Sequence, residues 1–313
     1  MSWTQRTWWC LALTLSAAVG CSTFQAAETG TKKEIRDDNR VGSREDGGVR
    51  KRMMVLPFLD SSDVRGQDLR DDARAEFIRG INRTGAIVAV DSKDLKVDFT
   101  KNIKNGEYDM TAIAKPAGQL GVQAVLEGKL IDINVKRSAD PVGIFRQVKT
   151  KFEAQARVRI FTARSGREIF NTVKTVTLEE ANVRVAERVD SDRFLTNNPE
   201  LVRKLVEEAF LDFTPQIVAA LDKMSWEGRI AMVNGDRIFL NVGKISGLQI
   251  GDILKVSEDG DEIYDPQTGN YIGKTPGRMK GTLEVVSYFG QDGAISIIHS
   301  GSGFRESDRV ELY

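Results

Sequence analysis

The amino-acid sequence predicts an α/β layer domain followed by a small all-β barrel domain. Between residues 52 and 224, short apolar runs and amphipathic segments occur in the order β-α-β-α-β-β-β-α, which is typical of helices packed on a sheet. Between residues 225 and 313, short alternating strands are separated by Gly-rich turns, which is typical of a small closed barrel. The chain has 313 residues, of which 41% are hydrophobic, and this is enough apolar material for two cores.

The first part of the α/β domain contains three predicted strands and two predicted helices. In chain order these are a strand at 53–58, a helix at 69–83, a strand at 86–90, a helix at 110–120 and a strand at 122–133. On the first helix apolar residues recur at three- and four-residue steps, and Arg74 lies among the polar residues on the other faces. Gly85 and Gly121 follow the two helices, a position where glycine commonly ends a helix.

The second part of this domain contains two long antiparallel strands and a helix. Residues 148–160 alternate strictly between apolar and polar, so one face of this strand is expected to be buried and the other wet. The chain turns at residues 163–166 and returns as a strand at 167–178. A helix begins at Pro199, and Pro215 is expected to kink or split it.

The barrel domain begins with a predicted hairpin. Strands at 226–233 and 237–242 flank Asn234 and Gly235, and Asn-Gly between two alternating apolar runs is a strong hairpin signal. Further strands are predicted at 252–256, 279–288, 294–298 and 309–312.

Residues 1–20 resemble a bacterial lipoprotein signal peptide. A short polar leader with Arg6 precedes an apolar run at 8–20, and small residues come directly before Cys21. The run is shorter than the roughly 20 residues that span a bilayer, and a cysteine in this place is the lipid acceptor of the lipoprotein pattern. We therefore expect the mature chain to begin at Cys21 and to be anchored to a membrane by acyl chains. The alternatives are an ordinary signal peptide cleaved nearby and an uncleaved anchor.

Residues 21–51 are expected to form a flexible tether, because they are polar and charged with interspersed glycine. Such a tether has a reach of about 30 Å. Ser22, rather than Asp, follows Cys21, which resembles outer-membrane sorting, so we expect an outer-membrane location facing the periplasm. If Cys10 leaves with the signal and Cys21 is acylated, no thiol remains for a disulfide, a metal or catalysis.

No motif in the sequence assembles a catalytic site, so we expect no enzyme activity and no cofactor. His299 is the only histidine, and it is expected to cap a strand end near Gly301. Residues 269–275 resemble a phosphate loop but lack one residue between the glycines, and Pro276 blocks the helix that should follow. A hairpin turn is therefore predicted there.

No metal site is expected, and nucleic acid is not an expected partner. Acidic residues in the barrel turns could gather a divalent cation, but Asp in turns usually serves turn geometry; these residues are Asp236, Asp252, Glu258, Asp259, Asp261 and Asp265. Lys+Arg and Asp+Glu are balanced at 45 each, so no strong field attracts nucleic acid.

Three segments of the α/β domain resemble the curli-transport lipoprotein (CsgG-like) family. They are residues 53–81, 120–128 (LGVQAVLEG) and 158–169 (VRIFTARSGREI), and the resemblance covers most of residues 53–223. The family implies an α/β layer fold of the anticodon-binding-like, CsgG-like kind in a ring-forming outer-membrane lipoprotein. In that family two extended hairpins per subunit build a transmembrane barrel, and a loop after the first strand forms the narrowest part of the pore.

This sequence departs from the family at the three pore positions. The first hairpin segment, 134–146, is short and charged, and the second, 179–193, places Glu187 on the same face as its valines. A lipid-facing charge is costly unless it lies near the interface. The loop at 61–70 lacks the aromatic and Asn residues that line the family's constriction.

The barrel domain resembles the C-terminal domain of the flagellar assembly protein T family over residues 226–313. The matching motifs are 240–243 (LNVG), 247–252 (GLQIGD), 265–269 (DPQTG) and 307–310 (SDRV). That family implies a periplasmic ring component around the flagellar basal body, with a middle domain related to the curli-transport fold. The present sequence departs from it by lacking a separate N-terminal domain and by carrying the lipoprotein-like signal in its place.

From these residues and resemblances we expect a non-enzymatic, lipid-anchored homo-oligomer. It would act as a ring-forming or scaffolding component of a cell-surface apparatus, with envelope, flagellar or secretion machinery proteins as partners and the membrane contacted through the lipid on Cys21. The long strands could mediate subunit contacts. The alternative is a CsgG-type oligomeric outer-membrane secretion channel.

Overall fold

The computed structural model describes residues 48–62, 65–93, 98–139, 148–182, 199–268 and 271–313. The predicted signal peptide, Cys21 and the predicted tether up to residue 47 lie outside these residues. So do residues 140–146 of the first hairpin segment and 183–193 of the second. The described part of the chain belongs to one compact unit, Asp46–Tyr313.

The α/β domain contains four helices and eight strands in the described residues. The helices are α1 (Gln67–Arg83), α2 (Met110–Gln119), α3 (Pro199–Leu211) and α4 (Thr214–Asp222), and a 3-10 turn covers Thr100–Asn102. The strands are β1 (Lys51–Val55), β2 (Leu59–Asp60), β3 (Ile87–Asp91), β4 (Ile103–Lys104), β5 (Glu107–Tyr108), β6 (Ala124–Ala139), β7 (Val148–Thr162) and β8 (Glu168–Asn182). The predicted α/β layer architecture is confirmed.

The main sheet has the strand order β3-β1-β6-β7-β8, and β2 pairs with β6. β1 is parallel to β3 and to β6, whereas β7 and β8 continue the sheet as antiparallel neighbours. The parallel strands β3, β1 and β6 therefore form one side of the sheet, and the long antiparallel meander β6–β7–β8 forms the other.

The two faces of the sheet are covered by different elements. On one face, α1, α3 and α4 bury the larger core, which includes Phe77, Phe210 and Ile217. On the other face, α2 and the β4–β5 hairpin cover a smaller core around Met54 and Ile113. Because β1 is buried on both faces, its sequence is a continuous apolar run rather than an alternating one.

Gly128 in β6 allows two aromatic rings to pack on the sheet. The rings of Phe58 and Phe210 stack with their centroids 4.1 Å apart, and a Cβ on Gly128 would lie 2.7 Å from the Phe58 ring. A glycine inside a strand commonly marks such a close approach.

β6 continues to Ala139, past its predicted end at residue 133, because it contains a bulge. Its register with β7 shifts between Leu130 and Asp132, so Leu130 and Ile133 both point into the larger core although they are three residues apart. Because the alternation of buried and exposed residues changes phase at this bulge, the polar residues after Ile133 resemble the end of a strand in the sequence.

The C-terminal helical region is split as predicted. α3 ends at Leu211 and α4 begins at Thr214, with Pro215 in its first turn. Proline is favoured there because the first amide groups of a helix need no intrahelical partner.

The barrel domain is a closed six-stranded barrel, as predicted. Its strands are β9 (Gly228–Asn234), β10 (Arg237–Leu240), β11 (Ile253–Ser257), β14 (Met279–Phe289), β15 (Gly293–Gly301) and β16 (Arg309–Leu312), in the closed order β10-β15-β14-β11-β16-β9. Inward-facing residues such as Ile238, Leu254 and Val285 fill its interior. A separate hairpin, β12 (Glu262–Tyr264) with β13 (Tyr271–Lys274), joins β11 to β14.

The residues that precede β1 pack against the barrel domain. Val49 contacts the barrel core, and the amide of Arg50 donates to the carbonyl of Ser246 at 2.9 Å. The indole of Trp226 donates to the carbonyl of Arg50 at 3.2 Å. Val49 and Arg50 therefore pack against the folded barrel domain, whereas the predicted tether extends to residue 51.

Gln123 connects the sheet with the barrel domain. Its buried side chain accepts from the amide of Arg52 at 2.9 Å and donates to the carbonyl of Glu227. The guanidinium of Arg52 in turn donates to the carbonyl of Asn241 at 2.6 Å. Burial lowers the pKa of Arg52 from its ordinary value, and the charge of Asp292 opposes that effect.

Candidate interaction surface

The long meander β6–β7–β8 presents a polar face on the side opposite α1, α3 and α4. Strand register places Lys129, Arg157 and Val173 in one row across this face, and Asp132, Gln155 and Thr175 in a second row. α2 and the β4–β5 hairpin pack only on the part of this side nearest β1. We call the remaining exposed part the meander face.

A network of ion pairs lies along the boundary between the meander face and the part of the sheet that α2 and the β4–β5 hairpin cover. Glu127 is buried and accepts from Arg159 Nε at 2.9 Å and from Arg159 Nη2 at 2.8 Å. Its second oxygen also accepts from the amide of Tyr108 at 3.0 Å. Arg157 pairs with Glu107, so the β4–β5 hairpin is fixed to β7 by charge.

The electrostatics of this network favour the charged forms of Glu107 and Arg159. The hydrogen bond from Arg157 holds the pKa of Glu107 below its ordinary value, although partial burial opposes this. Burial alone would lower the pKa of Arg159, but the hydrogen bonds and charges of Glu127 and Glu107 raise it instead. The network therefore holds the β4–β5 hairpin on β7 through charged hydrogen bonds.

The meander face carries a shallow polar depression of about 210 Å³. It is lined by Asp132, Asn134, Glu153, Gln155 and Thr175. Asn134 donates to Asp132 at 2.6 Å, and Lys136 pairs with Glu153 at 2.6 Å. This volume is below the roughly 300–1,000 Å³ of small-molecule pockets, and its groups suit contact with a polar protein surface.

The outer edge of β8 is the second part of this surface. β8 is the last strand of the sheet, and no other strand in the described residues pairs with that edge. An unpaired edge presents a row of backbone donors and acceptors that can accept another strand.

A separate apolar patch lies on the outside of the barrel. Register places Met232, Phe239 and Ile295 side by side on β9, β10 and β15. The ring of Phe289 meets that of Phe239 edge-on at 5.5 Å, and Met232 and Phe289 are each 41% exposed. Contiguous apolar surface of this kind is commonly a contact site.

The structure does not gather the sequence-predicted chemical residues into one site. His299 lies within β15, with its Nδ1 3.0 Å from Thr282 Oγ1, and it does not cap the end of the strand as expected. Asp265 accepts from the amides of Gln267 and Thr268, so it serves turn geometry as predicted. These two hydrogen bonds hold the pKa of Asp265 below its ordinary value.

The phosphate-loop-like segment forms the second strand of a hairpin. β13 pairs with β12 in antiparallel register, while residues 269 and 270 lie outside the described residues. Among the described residues, no group of three or more His, Cys, Asp or Glu side chains is placed to hold a metal ion. Within the same residues, no helix has the length and apolar character needed to cross a membrane.

Arg74 is the clearest correction to the sequence-based prediction. It was expected on a polar face of α1, but it is only 2% exposed. Its guanidinium donates to the carbonyls of Val55 and Leu56 at 2.7 and 3.0 Å and pairs with Asp91. A signal was present in the sequence, because Arg74 precedes Phe77 by three residues and Ile78 by four and therefore shares their side of the helix.

No protein-family model and no curated protein matches the chain. Among solved structures, a hypothetical protein from Chlamydia trachomatis is 12% identical with a TM-score of 0.31, and the match covers 55% of this chain and 98% of that one.

Two further solved structures have similar values. A minor lipoprotein from Acinetobacter baumannii is 13% identical with a TM-score of 0.28, covering 55% of this chain and 94% of that one. The PelC dodecamer from Paraburkholderia phytofirmans is 12% identical with a TM-score of 0.28, covering 54% of this chain and 89% of that one.

Proposed function

We propose that this chain is a non-enzymatic, lipid-anchored envelope protein that acts as a ring-forming or scaffolding component in the assembly of a cell-surface apparatus. The observation that carries the proposal is the long meander, whose edge strand β8 and polar face are available to a partner. A scaffold works by presenting such surfaces at a fixed place. The lipoprotein-like segment ending at Cys21 supports anchoring to the outer membrane, facing the periplasm.

The anchoring part of the proposal is tested by replacing the acceptor cysteine. Cys21→Ala should release the protein from the outer-membrane fraction, because the acyl chains hold it there. Cys10→Ala lies inside the predicted signal peptide and is the matched control, with an unchanged location expected. Retention of the Cys21→Ala protein in the membrane fraction would instead support an uncleaved anchor.

The scaffolding part is tested by mass determination and electron microscopy of the detergent-extracted, lipidated protein. We expect defined oligomers or closed rings. Monomers at micromolar concentration would contradict a self-associating scaffold.

A secretion channel is the second candidate function, because the meander strands are long enough to cross a membrane. β6 and β7 contain 16 and 15 residues, whereas a membrane-spanning strand needs about 9–11. Ion conductance in planar bilayers separates the two functions. Conducting rings would establish the channel, and non-conducting oligomers would support the scaffold.

A further inference from the structure

Within the residues that the structure describes, the edge strand β8 lacks the features that usually protect an exposed sheet edge. Residues 170–178 form a run of nine that contains five β-branched residues, no proline, no glycine and a single charge, Lys174. Its register shift against β7 lies at its beginning, next to Glu168, so the rest of the strand is regular. Natural edges are normally short, charged, bulged or covered, and β8 has 15 residues.

The single charged residue in this run, Lys174, does not protect the strand edge from pairing with another strand. Lys174 Nζ donates to the carbonyl and to the carboxylate of Asp212, both at 2.7 Å. It also lies 5.3 Å from the centre of the Phe213 ring. Lys174 is therefore bound on the helix side of the sheet, where Asp212 neutralises its charge.

The opposite side of β8 is uncharged along the same run. By alternation it carries Asn171, Val173, Thr175 and Thr177, which belong to the meander face. Val173 is 46% exposed, and β-branched side chains of this kind favour cross-strand pairing.

We infer that β8 pairs in antiparallel register with β8 of a second copy of this chain, around a two-fold axis at Val173. This register uses the whole run from Glu168 to Leu178 in both copies. It places Val173 against Val173 of the second copy and Asn171 against Thr175, so no like charges are opposed. A register centred on Lys174 would oppose two lysines, which is destabilising.

The inferred contact is isologous, so it closes on two copies, and a larger ring needs a second, different contact. The inference rests on the proposed self-association and specifies its surface. Strand addition of this kind gains affinity from main-chain hydrogen bonds and specificity from alternate side chains.

Single cysteines test the register directly. The sequence has only Cys10 and Cys21, so a lipidated mature protein gains one free thiol with each new cysteine. Residues directly opposite in an antiparallel pair have Cβ atoms about 4.5–5.5 Å apart, a separation that a mild oxidant or a short bis-maleimide can bridge. Full-length, lipidated Val173→Cys should therefore form a covalent dimer, and the parent protein should not.

Two off-axis variants are the matched controls. Asn171→Cys and Thr175→Cys should each cross-link weakly alone, because in the inferred register each residue lies several positions from the same residue of the second copy. A mixture of the two should cross-link efficiently, because the inferred register places them opposite each other. Equal cross-linking of all single variants would overturn the register.

A charge variant tests the same contact without oxidation. Val173→Lys is expected to weaken dimerisation on the order of tenfold or more, because it opposes two like charges at the axis. Thr111→Lys, at an exposed position on α2, is the control and should leave the dimer unchanged. Circular dichroism checks that both variants fold.

The outcomes separate this inference from the proposed function. Oligomers that show no Val173→Cys cross-link and are insensitive to Val173→Lys would overturn the inference and leave the scaffold proposal standing. A protein that stays monomeric would overturn both.

Discussion

Glu127 and Arg159 lie directly opposite each other on β6 and β7 and form a buried, two-bond ion pair. The carboxylate accepts from Nε at 2.9 Å and from Nη2 at 2.8 Å. With the amide of Tyr108 at 3.0 Å, this carboxylate, which has no exposed side-chain surface, accepts three hydrogen bonds. The pair fixes the hairpin β4–β5 to the meander and so defines where the meander face begins.

Replacing Glu127 should destabilise the fold strongly. Glu127→Ala removes the buried partner of Arg159 and the acceptor of the Tyr108 amide, while Arg159 keeps its pair with Glu107 at 3.1 Å. The expected loss is therefore at the lower end of the about 3–5 kcal/mol typical of breaking a buried pair. Glu153→Ala is the control on the same face, where the pair with the largely exposed Lys136 is expected to contribute about 0–1 kcal/mol. Urea unfolding measures both. Similar losses for the two variants would contradict the structural role of Glu127.

Replacing Arg74 should also destabilise the α/β domain. Arg74→Met removes the hydrogen bonds to the carbonyls of Val55 and Leu56 and leaves Asp91 without its partner. The expected loss in the free energy of unfolding is about 3–5 kcal/mol. Arg74→Lys should not restore it, because an ammonium group cannot form the same planar set of bonds.

Arg79→Met provides the control for Arg74 on the same helix. Arg79 is exposed and pairs with Glu76, so its replacement is expected to change stability by about 0–1 kcal/mol. Thermal unfolding of the two variants in parallel gives the comparison. A small effect of Arg74→Met would mean that the packing of α1 against the end of β1 does not depend on this guanidinium.

Gly121 and Gly85 form a matched pair that measures the contact between the domains. Both have positive φ, 76° and 68°, so alanine costs about 1–2 kcal/mol at either position. Only at Gly121 would the new Cβ overlap the side-chain amide of Asn241, whereas at Gly85 nothing lies within 4 Å.

Gly121→Ala should therefore cost more than Gly85→Ala. Asn241 cannot simply move away, because its Oδ1 accepts from the amide of Arg229 at 2.9 Å, and losing that bond adds about 0.5–1.5 kcal/mol. Chemical denaturation of both variants measures the difference. Equal losses would mean that residue 121 does not press on the barrel domain.

Glu107 should contribute to the pH dependence of stability on the acid side. Because its folded pKa is lowered, its stabilising contribution is present above the unfolded pKa of about 4.3 and is lost as the pH falls through the folded value. Glu107→Gln should therefore lower stability at pH 7 and flatten the fall below about pH 4. Urea midpoints across this range measure both effects.

The hydrogen bond from Arg157 is the main cause of the Glu107 shift. In an Arg157→Gln background, Glu107→Gln should consequently have a smaller effect at pH 7. A double-mutant cycle gives this coupling. Full additivity of the two changes would contradict the stated cause.

Much of the fold could be predicted because its signals are local. The periodicity of α1, the Asn-Gly turn before β10 and the strict alternation of β7 each occupy a short stretch of chain, and each reflects the geometry of one element. The break before Pro215 was predictable for the same reason. The end of β6 was not, because the bulge after Leu130 changes the alternation only in relation to β7.

The sequence by itself determined the order of the main helices and strands, the split between an α/β domain and a closed barrel, and most of the residues that bury a core, but it did not predict β2 or the β4–β5 hairpin. Tertiary structure alone decided which polar groups are buried. Arg74 meets Asp91 and two strand carbonyls only when α1 packs on β1, and Glu127 meets Arg159 only when β6 and β7 pair. It also decided that β8 is an edge, because strand order depends on contacts distant in sequence, and those contacts leave no local pattern to read.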